Sequence, residues 1–109
     1  MLAATLQGLR EFPIVGDVRT IGFMAGIEFV ADRETRAPFP SASRAAVRVR
    51  EAGLRHGIVT YPGTGMADGG SGDIISLYPP LTFTVDDIAD MGVRLRATLA
   101  DVTADLGRA

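Results

Sequence analysis

The chain contains no cysteine, no tryptophan and no lysine. Without cysteine there is no disulfide framework and no thiolate metal site. Without lysine, no side chain of this chain can form a Schiff base with an aldehyde or hold a phosphate as a phosphate-loop lysine does. All 11 basic residues are arginine, against 13 acidic ones, for a net charge of −2. A balance on the acidic side leaves no electrostatic footprint for nucleic acid. Long apolar runs are missing too: none approaches the roughly 18 residues that a membrane span needs. The opening MLAATLQGLREF has neither the basic start nor the apolar stretch of a secretory leader. These absences predict a cytoplasmic protein with no membrane partner.

What is present is an ordinary globular composition. The 109 residues are 47% hydrophobic and 22% charged, too apolar and too weakly charged for a disordered chain, and of a length to bury one core. Leu2, Leu6 and Leu9 recur at helical spacing, and Pro13 ends that segment. Residues 14–20 alternate loosely and 23–30 alternate well, with Phe23, Ala25, Ile27 and Phe29 on one side. Gly22 between the runs predicts a tight turn and an antiparallel hairpin.

A polar stretch closing on Pro38 and Pro40 predicts a surface loop. Ser41 or Ser43 is then placed to cap a helix whose apolar stripe is Ala42, Ala45, Ala46, Val49 and Ala52. Gly57 has the position of a helix-ending glycine. Residues 58–61, IVTY, predict a short strand, 62–73 a glycine-rich loop, and 74–78, IISLY, a second strand stopped by Pro79 and Pro80. Thr84 opens a last helix with Asp86 and Asp87 in its first turn and Ile88, Met91, Leu95, Leu99, Val102 and Leu106 on its buried face. The fold class this predicts is α+β: a small, mainly antiparallel sheet with helices packed on it.

Few motifs carry chemistry. Gly63, Gly65, Gly69 and Gly70 do not make a phosphate loop, because the segment leads from strand to strand and no lysine follows. Asp68 and Asp73 flank a glycine–serine run but lack the ligand alternation and closing glutamate of a calcium loop, so no metal site is predicted. His56, the single histidine, sits at a helix end, where it is expected to bond a terminal carbonyl or face solvent. Glu28 in an apolar strand needs a partner, and Arg19 on the neighbouring strand supplies one, as a structural ion pair.

Several stretches are familiar as a set. VGDVRTIGFMAGIEFVAD at 15–32, with its Val-Arg-x-x-Gly-x-Met-x-Gly-Ile-Glu pattern at 18–28, TRAPFP at 35–40, GIVTYPG at 57–63 and GDIISLYPPLTFT at 72–84 resemble, in order, the class III pyridoxal-phosphate-dependent aminotransferases. The resemblance implies the C-terminal small domain of the type I aminotransferase fold. It further implies a missing large domain that precedes this segment and carries the cofactor lysine, and a homodimer in the intact enzyme. The implied reaction moves an amino group from an amine or amino acid to a keto acid or aldehyde, with pyridoxal 5'-phosphate as electron sink. No catalytic or cofactor-binding residue is expected in this chain, which alone is expected to be inactive.

Many relatives carry an arginine that clamps the substrate carboxylate, either near the Pro-Pro strand or in the glycine-rich loop. Ser76 and its neighbours, or Gly69, Gly70 and Ser71, stand at those places here. The substrate-side candidates are therefore Tyr61, Thr64, Met66, Gly69, Ser71 and Ser76. The Leu2/Leu6/Leu9 stripe and part of the hairpin are expected to pack on the large domain and to make the isolated chain self-associating. Two alternatives stand beside this reading: a free-standing, ferredoxin-like ligand-binding or regulatory module, and an inactive truncated gene product.

Overall fold

Two hairpins share a middle. A computed structural model describes residues 2–22, 24–64, 72–79 and 82–108. In chain order these form α1 (Leu2–Gln7) with a 3-10 turn at Gly8–Glu11, β1 (Val15–Ile21), β2 (Met24–Phe29), a 3-10 turn at Ser41–Ser43, α2 (Ala45–Arg55), β3 (Tyr61–Thr64), β4 (Asp73–Leu77) and α3 (Val85–Arg108). The strands pair antiparallel throughout in the order β1-β2-β4-β3. The sheet is therefore α+β in type, as the patterning predicts. Because β4 runs antiparallel to both its neighbours, β2 and β3 are parallel to each other, and β2, α2 and β3 form a split β-α-β unit of the kind found in ferredoxin-like folds.

Gly22 turns the first hairpin at φ +58°, a left-handed conformation that glycine adopts without a side-chain penalty. A bulge between Val15 and Asp17 shifts the register by one residue at Gly16, where a Cβ would come within 2.7 Å of Val30. Beyond the bulge the strand alternation is clean. Val18, Ala25, Ile27, Phe29, Ile75 and Leu77 point to one side and join a single core with residues of all three helices. The other side carries Arg19, Glu28 and Ser76, and is open at Ile21, Met24, Tyr61 and Tyr78, which are 53–77% exposed.

Four local expectations are corrected. The leucine stripe of α1 is no docking surface: Leu2, Leu6 and Leu9 are at most 5% exposed and belong to the domain's own core. An amphipathic stripe shows that a face is buried without showing by what.

The second strand pair begins later than the IVTY run predicts. Ile58 N–H donates to Gly53 O (2.8 Å) and Gly57 N–H to Leu54 O (3.3 Å), closing α2 in a Schellman motif with Gly57 at φ +80°. The backbone of residue 58 is thus committed to the helix end, and the ladder starts at Tyr61. Pro62, which has no N–H to give, is tolerated because β3 is an edge strand. The predicted glycine-rich loop gives up 62–64 to β3 and Asp73 to β4.

Neither Ser41 nor Ser43 caps α2. Arg44 occupies that position at φ +52° with no side-chain bond, and the Ala46 N–H is met instead by Asp73 Oδ1 at 2.9 Å, from β4. Finally, His56 bonds neither a terminal carbonyl nor solvent alone: its Nε2 lies 2.6 Å from Asp101 Oδ2 on α3. Thr84, by contrast, does open α3 with a reciprocal box. Its Oγ1 accepts from Asp87 N–H (3.2 Å), and Asp87 Oδ2 accepts from Thr84 N–H (2.9 Å).

Candidate functional site

Of the sequence-derived candidates, the β3–β4 hairpin sets Tyr61 and Ser76 directly opposite each other and Thr64 three residues along. Tyr61 opens β3 opposite Ser76, on the open face of the sheet, and its ring meets Tyr78 edge-on at 5.6 Å and 64°. Thr64 closes β3 opposite Asp73, at the other end. Met66, Gly69 and Ser71 lie outside the described residues. Tyr61 and Thr64 stand three residues apart, roughly 10 Å along β3 at the usual rise per residue.

Each end of the hairpin has its own cavity. At the tyrosine end, a cavity of about 490 Å³ is walled by Tyr61, Tyr78, Phe83 and Met91, with Asp87 and Asp90 on its rim. Its charged groups are already engaged: Asp87 in the α3 box, Asp90 with Arg94 Nε at 2.8 Å, and Arg94 Nη1 with His56 O at 2.9 Å. At the loop end, a cavity of about 280 Å³ is lined by Arg19, Glu28, Arg36, Pro38, Gly72 and Ile74, among others. Ser76 borders a third, shallower depression of about 210 Å³ with Ile21, Met24 and Tyr78.

Arg19 and Glu28 meet at 2.8 Å, through Nη2 and Oε2. The registered partner of Arg19 is Gly26, so the guanidinium reaches Glu28 along the diagonal of the ladder. The pair is half of a larger chain, in which Arg19 Nε also bonds Asp17 Oδ2 (2.9 Å) and Arg10 Nη2 bonds Asp17 Oδ1 (3.1 Å).

Partial burial pushes the Asp17 carboxyl up, but bonds from Arg10 and the Val18 N–H, with the charge and bond of Arg19, hold it below its ordinary value of 3.8. A depressed carboxylate contributes stability that is complete above its unfolded value and is lost as pH falls through the folded one. Asp17→Asn is therefore expected to cost about 0.5 kcal/mol at neutral pH, as exposed ion pairs do, and nothing in strong acid. Denaturant midpoints of both proteins across the acid range test this; a gap that persists unchanged into strong acid would remove Asp17 as its source.

Two residues of consequence stand in stretches whose patterns do not point to their role. Asp73 is 4% exposed, and its carboxylate ties the root of β4 to the first turn of α2. In the sequence it reads as the end of the glycine-rich loop, paired with Asp68 around the glycine–serine run, and not as a helix cap. Arg36 sits in a polar loop with nothing in the spacing to single it out. Among the described residues no group of three or more histidine, cysteine, aspartate or glutamate residues is placed to hold a metal ion, and no helix is long and apolar enough to cross a membrane.

A two-layer domain of this order, with a four-stranded antiparallel sheet and three helices on one face, is the fold found in solved transaminases. The (S)-enantioselective omega-transaminase from Thermomicrobium roseum matches it at a TM-score of 0.77 and 29% identity, over 93% of this chain and 21% of that one. The adenosylmethionine-8-amino-7-oxononanoate aminotransferase from Methanocaldococcus jannaschii matches at 0.77 and 37% identity, over 92% of this chain and 21% of that one. In sequence, the enzyme of the same name from Nitratidesulfovibrio vulgaris is 37% identical over 102 residues, which are 94% of this chain and 17% of the relative. No family model matches the chain. Along nearly its whole length, then, the chain is homologous to aminotransferases, and it spans about one fifth of the length of these relatives.

Proposed function

We propose that this chain acts as the C-terminal small domain of a pyridoxal-phosphate-dependent transaminase of class III, forming the substrate-facing wall of its cleft. The observation that carries the reading is the coverage: one folded unit matches over 92–94% of its own length a fifth of each relative. The reaction of the parent is the transfer of an amino group from an amine or amino acid to a keto acid or aldehyde. The residues of this chain do not fit the cofactor by themselves. There is no lysine for its aldehyde, and the glycine-rich segment joins two strands and opens no helix that would receive its phosphate. The cofactor and its lysine belong, in this reading, to a preceding large domain.

The open face of the sheet supports that arrangement. Ile21, Met24, Tyr61 and Tyr78 form an exposed apolar surface on one side of a domain whose helices all pack on the other. We place the large domain against this face, and a cytoplasmic homodimer completes the proposal. A chimera tests it: the segment of the Nitratidesulfovibrio vulgaris relative that this chain matches is exchanged for this chain. The chimera is expected to bind pyridoxal phosphate and transaminate, while the 109-residue chain alone gains no borohydride-reducible adduct at an internal residue. A soluble chimera that binds the cofactor but turns over no donor, or an internal adduct on the chain alone, would overturn the reading.

A further inference from the structure

At the loop end of the hairpin one guanidinium is left without a partner among the described residues, and its place has a geometry. Arg10 and Arg19 are matched by Asp17 and Glu28 in one closed chain of ion pairs. Asp73, which also borders the cavity there, turns its carboxylate to the Ala46 N–H. Arg36 is left over. It lines the same cavity, yet among the described residues no carboxylate or carbonyl receives its guanidinium.

The turn that carries Arg36 makes this more telling. Residues 32–37 are closed by an Asp32–Ala37 bridge. Asp32 Oδ1 accepts the N–H groups of Glu34 and Thr35 at 2.9 and 3.4 Å, and Thr35 Oγ1 accepts that of Ala37 at 3.3 Å. These bonds hold the turn without using the side chain of residue 36. Its backbone is left-handed, φ +59°, a conformation that glycine or asparagine adopts at less cost. The backbone thus gives no reason for arginine, and the cavity does.

We propose that Arg36 binds a carboxylate in this cavity, holding it in the two-pronged fork that a guanidinium offers. The cavity, about 280 Å³ with Ile74, Pro38 and Val30 on its walls, takes a small aliphatic acid with its anionic end toward Arg36. On the transaminase reading above, on which this assignment rests, that acid is the carboxylate-bearing substrate, held from the loop of residues 31–40.

The direct test needs no enzyme. The full chain is titrated with succinate and, in parallel, with succinamide, following the Arg36 Nε–H resonance and the melting midpoint. Succinate is expected to give a saturable shift that succinamide does not. Arg36→Gly, which suits the left-handed backbone, should abolish the succinate-induced rise in melting midpoint while itself melting no lower than the parent chain. Arg36→Lys should weaken binding at least ten-fold, since one ammonium cannot form the fork. Equal responses to the two probes, no response to succinate, or undiminished binding by Arg36→Gly would each overturn the proposal. In the chimera, Arg36→Gly should raise KM for a carboxylate-bearing donor at least ten-fold more than for the corresponding neutral amine. An active chimera in which both donors suffer alike defeats the Arg36 assignment and leaves the transaminase reading standing. A chimera without activity defeats that reading, and the succinate titration still decides Arg36.

Discussion

Leu6→Ala is expected to destabilise the chain by about 2–5 kcal/mol, the range for emptying a fully buried leucine site. Leu6 is 0% exposed and lies in the core shared by α1, α3 and the inner face of the sheet. Against a total of about 5–15 kcal/mol for a domain of this kind, the loss is large. It should lower the melting midpoint by roughly 10 °C or more, at about 4–8 °C per kcal/mol for a domain near this size. Leu54, on α2 and 51% exposed, is the control; its alanine variant should stay within about 0.5 kcal/mol of the parent. Denaturant unfolding of the three proteins decides the matter. Equal midpoints for Leu6→Ala and Leu54→Ala would return α1 to the status of a docking stripe.

The second large effect is expected at Asp73. Removing its carboxylate leaves the Ala46 N–H without an acceptor at the buried start of α2, where no side chain of the helix's own first residues replaces it. An orphaned buried donor costs about 1–3 kcal/mol, in line with the loss of a helix cap. Asp73→Ala should therefore lower the unfolding midpoint clearly, and Asp73→Asn, which keeps a side-chain oxygen, less so. Hydrogen exchange gives the local signature: the Ala46 amide should lose protection more than amides in the middle of α3. Unchanged protection at Ala46 would show that the bond carries no weight.

The contrast between these two sites explains what the sequence makes legible. Ile27 and Phe29, or Leu95 and Leu99, announce themselves because burial on one face repeats with the period of the element, two for a strand and 3.6 for a helix. The Thr84–Asp87 box is equally readable, being three residues long. The cap of α2 is not, since its donor and acceptor are 27 residues apart and meet only after the sheet has formed. The start of β3 was misplaced because β-branched residues at 58–60 suit a strand, while the helix end claims the backbone of Ile58. At the candidate site, the sequence places Tyr61 and Ser76 on two strands and Thr64 in the loop between them, but not the register that sets Tyr61 opposite Ser76 and Thr64 within β3. Arg36 stands in the TRAPFP stretch, but nothing there marks it as a ligand: a loop residue has no period, and its significance lies in its own guanidinium being without a partner among the described residues of the folded chain.

Thr64 and Asp73 are register partners, and a facing pair holds its α-carbons about 5 Å apart whatever chain connects them. Asp73 is in turn moored to α2. The eight residues 65–72 are thus an insert between fixed posts, and for such an insert a doubling of length costs only about 0.6 kcal/mol in closure entropy. Stability is then carried by the posts, and the length of chain between them can change without renegotiating the core.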